Sequence, residues 1–305
     1  MTPLPVGPHG GDVERVAAAL DVDPSQIRDL SVSLNPDAPD VAELAAKHLD
    51  ALGRYPDPAE ATDALAGAIG VPPDRVLMTN GGSEAIALVC TELRRGVVAS
   101  HEFSLYARHL EEVVDAGHDD AEYMPRIASN PNNPTGRLAL EHEGAAVWDE
   151  AFYPLATGRW TRGDDGAIVV GSLTKLFACP GLRVGYVLAE PELIARLATL
   201  LPQWSLNGLA ASLVPELLSR ANLPAWHEAG AARRAALAEA VPGVMPSDAP
   251  YVLVETPSGA GPTRELLARR GILVRDCTSF GLPNHVRVAV PDDAGLRKLV
   301  AAWPA

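Results

Sequence analysis

Lysine is nearly missing from this sequence. The chain has 305 residues and 25 basic side chains, yet only Lys47, Lys175 and Lys298 are lysines. Arginine serves wherever a plain positive charge will do, so a lysine inside an apolar stretch asks for a reason. Cysteine is scarce and odd in number: Cys90, Cys179 and Cys277, with no CxxC pair. That argues against a disulfide framework and a zinc site, and points to reduced thiols in a cytoplasmic protein. No metal is expected. A basic surplus is absent too, since the net charge is −14. Neither nucleic acid nor an anionic membrane is therefore an expected partner. No apolar run approaches the roughly 20 residues of a membrane span. The start, "MTPLPVGPHGGDVERV", has neither the basic nor the apolar region of a signal peptide.

What is there is an ordinary globular composition, 47% apolar and 21% charged. At this length a large core and two domains are expected. Periodicity predicts helices over Val13–Leu20, Val41–Leu52, Ala59–Ile69 and Leu105–Val114, and one opening near Ser83, which can cap it. Short apolar runs predict strands at Val76–Met78, Val97–Ser100, Arg126–Ser129, Ala145–Trp148, Ile168–Gly171 and Val184–Ala189. Strands alternating with helices imply a mainly parallel, covered α/β sheet. Beyond about Leu206 two helices precede strands at Tyr251–Glu255, Ile272–Arg275 and Val286–Val290, which reads as a smaller α+β domain.

Ligands of open α/β sheets sit outside the carboxyl ends of the strands. Four polar clusters fall there: "NGGSEA", "SNPNNPTG", "DEAF" and "SLTK". Gly81, Gly82 and Ser83 at a helix start offer N–H groups and a hydroxyl to an anion. Ser172, Thr174 and Arg183 could complete a phosphate cup, with Arg183 gripping as a fork. Asp149 ends an apolar strand, where a carboxylate needs a partner. Asn133 lies in the turn "NNPTG". Alone, each also fits a plain structural role: a cap, a surface charge, a turn. Lys175, between Ile168–Val170 and Leu176–Ala178, joins them. A desolvated amine can form a Schiff base with a carbonyl. Pyridoxal phosphate needs all of these groups at once.

The ordered set "YPDP", "NGGSEA", "NPNNPTG", "DEAF", "SLTKLFACPGLRVGY" and "VRDCTSFGLP…HVRVAV" resembles the fold-type I pyridoxal-phosphate enzymes. Within them it is similar to the group of histidinol-phosphate aminotransferases and threonine-phosphate decarboxylases. The likeness runs nearly end to end. It implies an aspartate aminotransferase-like fold: an arm over residues 1–35, a large cofactor domain over 36–206 with a seven-stranded-type sheet, and a small domain over 207–305. By position it implies that Lys175 carries the Schiff base and Asp149 pairs with the pyridine nitrogen, as the catalytic pair. Asn133 would bond the ring oxygen, and Phe103 would stack on the ring. Gly82, Ser83, Ser172, Thr174 and Arg183 would hold the cofactor phosphate. Tyr55 would reach the partner subunit's cofactor, implying a homodimer with shared active sites. Arg287 would clamp the substrate carboxylate and Arg275 a substrate phosphate, with His9 and Asn35 as further substrate contacts.

"HGG", "PQWSLN", "RDCTSFGLP" and Phe103 look more like the decarboxylase branch, of the cobalamin-biosynthesis type. The aminotransferase reading, on histidinol phosphate or another donor, is the alternative. Two departures stand out. Phe152 occupies a place where tyrosine is usual in the aminotransferases, with Tyr153 next along. The middle is also short, with "RLALEHEG" where a helix usually lies between "NPTG" and "DEAF". A non-catalytic, cofactor-binding homologue is the third reading.

Overall fold

The alternation of apolar strands and amphipathic helices folds as a covered sheet. The computed structural model describes residues 4–7, 9–114, 117–118 and 121–304; residues 1–3 and 8 of the expected arm lie outside them. A short strand in the arm, β1 (Arg28–Asp29), comes first. Seven strands then build the large sheet: β2 (Val76–Thr79), β3 (Arg95–Val98), β4 (Glu112–Val114), β5 (Arg126–Ser129), β6 (Val147–Asp149), β7 (Ile168–Ser172) and β8 (Gly185–Leu188). Their spatial order is β2-β8-β7-β6-β5-β3-β4. Strands β7, β6, β5, β3 and β4 run parallel, and β8 is antiparallel to both neighbours.

Each face of the sheet carries its own core. On one, Leu65 of the helix Ala59–Ile69 meets Leu213 and Leu217 of the helix Gly208–Ser219, with Met78, Phe177 and Tyr186 beneath. On the other, Ile86 and Val89 of the helix Gly82–Leu93 pack with Ile194 and Leu197 of the helix Pro191–Leu200. Each such leucine or isoleucine contributes roughly 1.5–3 kcal/mol on burial.

The smaller α+β unit holds β9 (Tyr251–Glu255), β10 (Ile272–Leu273), β11 (Arg275–Asp276) and β12 (His285–Ala289). Strands β11, β12 and β9 form an antiparallel sheet, while β10 pairs in parallel with β1. Leu237, Val252, Leu267, Val286 and Leu299 form its core. No helix among the described residues is long and apolar enough to cross a membrane.

Several local expectations need correction. The segment predicted as one helix over Leu105–Val114 is a short helix, Leu105–His109, followed by β4. The break comes at Leu110, whose backbone is extended. Val41–Leu52 is α-helical only to Ala45 and then winds as 3-10 helix to Gly53. The predicted strand Val97–Ser100 lies at Arg95–Val98. Ser83 does not cap its helix: the cap position is Gly81, and Ser83 sits inside the first turn. Ile272–Arg275 is divided between two sheets.

The connection from β5 to β6 runs without a helix, as the short "RLALEHEG" segment implied. Its carbonyls therefore lack helical partners, and Arg162 supplies them. Nη2 of Arg162 donates to the carbonyls of Leu140, Glu141 and Glu143 at 3.0, 2.9 and 2.8 Å. Nε binds Asp164 at 2.8 Å, and the guanidinium lies 5.1 Å from the Trp148 ring centre. One planar fork thus replaces several backbone donors. Arg162→Ala is expected to lower folding stability by about 2–4 kcal/mol. Arg162→Lys should recover only part of it, because an ammonium cannot meet the carbonyls while also donating to Asp164 and lying flat on Trp148. Thermal and urea denaturation of both variants would check this.

Candidate active site

The cleft lies at the carboxyl ends of β5, β6 and β7, closed on the far side by β11, β12 and the arm. It encloses about 180 Å³. All the candidate residues named from the sequence line it except Gly81, Asn35 and Tyr55.

The glycine turn after β2 sets up one end. Gly81 has φ +82°, a left-handed backbone that favours glycine, and a Cβ there would fall 2.4 Å from Nη2 of Arg183. Its absence lets the guanidinium rest against the start of the helix Gly82–Leu93. Across from it the Ser172 and Thr174 hydroxyls meet at 2.7 Å. A helix start, two hydroxyls and a guanidinium make an anion cup.

Beside the cup, Lys175 projects from the short helix Leu173–Leu176. Its amine has no hydrogen bond or ion pair among the described residues. Burial pushes its pKa down, as do the Arg287 and Arg183 charges, while Asp149 opposes them. A larger fraction of neutral, nucleophilic amine follows. Asn35 stays outside the cleft and braces this segment from behind. Its Nδ2 donates to the Leu176 carbonyl at 3.0 Å, and its N–H to that of Lys175. The expected substrate contact is therefore a scaffold contact.

Asp149, at the end of β6, accepts the Tyr106 hydroxyl at 2.8 Å and the Ala151 N–H at 3.0 Å. Burial raises its pKa, and Lys175 is the one cation that lowers it. A cationic ring nitrogen would supply the missing counter-charge. Asn133 accepts from Nη1 of Arg287 at 2.5 Å through Oδ1, and its N–H donates to the Ser129 hydroxyl at 2.9 Å. Phe103 lies over the cavity with His9, ring centres 5.3 Å apart. Burial and the Arg275 charge lower the His9 pKa.

Arg275 and Arg287 stand opposite one another on β11 and β12. Like charges so placed repel, and an anion between them would offset the repulsion. Nη2 of Arg287 donates to the Ser31 carbonyl at 3.0 Å, and its Nε is buried with no partner among the described residues. Ser33, which lines the cleft, likewise has a buried hydroxyl with no partner among them. Arg275 holds the Gly7 carbonyl and the Ser279 hydroxyl, so the arm is tied over the site. The cup, the free amine, the carboxyl in need of a cation and the aromatic face fit pyridoxal phosphate.

Phe152 lines the cleft and packs edge-on against Tyr251, ring centres 5.0 Å apart. Tyr153 is buried in the next helix and does not line the cleft, so it does not replace the missing hydroxyl. Tyr55 is 75% exposed and stacks on Trp204 at 4.3 Å, away from its own chain's cleft. The shortened segment 137–146 adds no residue to the cleft. Tyr106, Ser129, Ser31 and Glu102 belong to the site's hydrogen-bond network but escaped sequence reasoning. Tyr106 reads as one more apolar position in a helical pattern. The signal for Glu102 is a carboxylate beside the stacking Phe103, in an otherwise uncharged turn.

Comparison with known proteins agrees with this geometry. The chain matches the family described as aminotransferase class I and II over residues 98–302. It is 30% identical to histidinol-phosphate aminotransferase 1 of Cupriavidus pinatubonensis, covering 93% of this chain and 90% of that one. It is 29% identical to threonine-phosphate decarboxylase of Salmonella typhimurium, over 96% and 95% of the two chains. That alignment is 347 residues long, more than this chain possesses, so gaps open in it. The fold superposes on histidinol-phosphate aminotransferase from Sinorhizobium meliloti, solved with pyridoxal-5'-phosphate, with a TM-score of 0.82 at 18% identity, covering 99% of this chain and 96% of that one. The chain therefore belongs to the class I and II aminotransferases, a family of pyridoxal-phosphate enzymes.

Proposed function

We propose that the protein acts on a phosphorylated amino acid, and that it is a decarboxylase of the threonine-phosphate type. The observation that carries this is the pair Arg275 and Arg287, opposed on β11 and β12 at the mouth of the Lys175 cleft. Two guanidiniums there suit a small substrate with two anionic groups, a carboxylate and a phosphate. The relatives named above, whose names both carry a phosphorylated substrate or product, support the same chemistry.

Bound pyridoxal phosphate supplies an aldehyde that condenses with a primary amine and a ring that withdraws electrons. The chain's own residues do the rest. Lys175 would present an amine whose pKa burial lowers, and its Nζ would be placed to return a proton. Asp149 holds the proton on the ring nitrogen. Gly82, Ser83, Ser172, Thr174 and Arg183 bind the cofactor phosphate, and Phe103 covers one ring face. Arg287, steadied by Asn133 and the Ser31 carbonyl, fixes the substrate carboxylate. By fixing the carboxylate, this clamp would decide which bond of the substrate's α-carbon is placed to break. Incubation with L-threonine phosphate should release CO₂ and aminopropanol phosphate. Transamination of histidinol phosphate is the second reading, favoured by the Cupriavidus relative. Accumulation of pyridoxamine phosphate from an amino donor alone would establish it instead.

The working unit is a homodimer in which Tyr55 of one subunit reaches the cofactor phosphate of the other. The motivation is an exposed tyrosine, stacked on Trp204 and remote from its own cleft. Tyr55→Phe is expected to weaken cofactor affinity roughly ten-fold with little change in fold, by loss of one hydrogen bond to a charged group. Equilibrium dialysis against pyridoxal phosphate would measure it, and an unchanged affinity would remove Tyr55 from the site.

A further inference from the structure

Behind the cleft lies a second cavity, of about 210 Å³, lined in part by Arg137, Leu138, Ala139 and Glu143 of the short β5–β6 connection. Ser129 lines both cavities. Glu102 faces the second one, and its carboxylate closes the wall between them. It accepts the Ser129 hydroxyl at 2.5 Å, the Ser129 N–H at 3.2 Å and Nδ2 of Asn132 at 3.1 Å. Ser129 in turn accepts the Asn133 N–H, and the Tyr106 phenol, which feels both carboxyl charges, donates to Asp149. Two carboxyl groups, each held by a hydroxyl, therefore lie near one another, and the mechanism uses only one of them.

We propose that Glu102 is a positioning residue: held by Ser129 and Asn132, it fixes the backbone of Asn133 through Ser129, and its own charge bears on the charge held by Asp149. This deepens the reading of Asp149 and Asn133 as the contacts to the cofactor ring and rests on it. Linked acids that interact strongly titrate as a pair. Burial, and then the Asp149 charge against the donors of Ser129 and Asn132, leave Glu102 with a pKa of about 7. The other ionisable groups facing it are Tyr106 and, around the second cavity, Arg126, Arg137 and Glu143. The second cavity gives this carboxyl a route to solvent that does not pass through the cleft. A charge change near neutral pH can thus occur at the back of the site while substrate occupies the front.

The test is ¹³C NMR of the side-chain carboxyls in the cofactor-free protein, titrated between pH 4 and 9. Glu102→Gln should lower the pH at which Asp149 takes up its proton by about half a pH unit or more, since a nearby like charge is gone. The melting temperature offers a parallel measure. A carboxyl raised from 4.5 to about 7 on folding makes the folded state lose stability as pH rises through that window. Glu102→Gln should flatten that fall relative to the wild type. If Asp149 titrates at the same pH in the variant, the proposal is overturned. Should Glu102→Gln not fold, Tyr106→Phe asks the same question with Glu102 in place. A linked pair predicts that the Glu102 resonance moves as well as that of Asp149; movement of Asp149 alone overturns it. Adding pyridoxal phosphate to wild type and recording the visible spectrum keeps the two ideas apart. A wild type without a cofactor band refutes the cofactor reading and leaves the NMR result on the carboxyl pair intact.

Discussion

Lys175→Ala is expected to abolish turnover, with a loss on the order of 10⁴-fold or more, as for other covalent nucleophiles. The visible band that wild type gains with pyridoxal phosphate should disappear as well, since no other lysine lines the cleft. The fold should survive. Burial disfavours the ammonium of Lys175, and it has no partner to leave behind among the described residues, so the melting temperature should hold or rise. A variant that loses activity by unfolding would show the opposite. Absorbance titration, turnover with L-threonine phosphate and a thermal scan together separate these outcomes. Lys175→Arg is no rescue, because a guanidinium remains charged and cannot condense with an aldehyde. A variant that kept a tenth of its activity would remove the amine from the chemistry altogether.

Asp149→Asn should cost turnover roughly 10³-fold, the scale of losing a preorganised charge at a reacting centre. The substitution keeps size, and the amide oxygen can still accept the Ala151 N–H while its NH2 donates to the Tyr106 oxygen, so a failure to fold is not expected. What it removes is the negative charge that stabilises a proton on the ring nitrogen. Cofactor affinity should also fall, by roughly ten-fold, because a charged hydrogen bond becomes a neutral one. Single-turnover rates and equilibrium dialysis check the two effects separately. Activity within ten-fold of wild type would show that the ring works without this carboxylate.

The residues behind these expectations differ in how visible they are in the bare sequence. Lys175 stands out because lysine is so rare here and because an apolar run surrounds it. Asp149, Asn133 and the Ser172–Thr174 pair are legible from their place at strand ends, where a parallel sheet gathers what binds. Arg275 and Arg287 come from the resemblance, and their juxtaposition across β11 and β12 is a matter of register that no local pattern encodes. Asn35 misleads for a physical reason: an Asn in a turn can bond a ligand or a backbone, and only tertiary distance decides. Leu105–Val114 misleads because Leu105, Tyr106, Leu110, Val113 and Val114 satisfy helical spacing, while the last three residues of the stretch find a partner strand in β3. Propensity is a weak prior against such pairing. Tyr106 sits in that stretch and Glu102 just before it, which is why their network stays hidden.

Strand β4 is also the open border of the large sheet, and a bare row of backbone donors and acceptors is an invitation to aggregate. This border is short, three residues long, and Val113 is exposed on it. Arg94 binds Glu111 at 2.8 Å just before the row and Arg95 binds Glu112 at its first position, so any incoming strand must desolvate two ion pairs. Guarded in this way, the edge is expected to resist pairing with another strand. Exchanging Arg94, Arg95, Glu111 and Glu112 for threonine would open a sticky flank while leaving the chemistry of the cleft untouched.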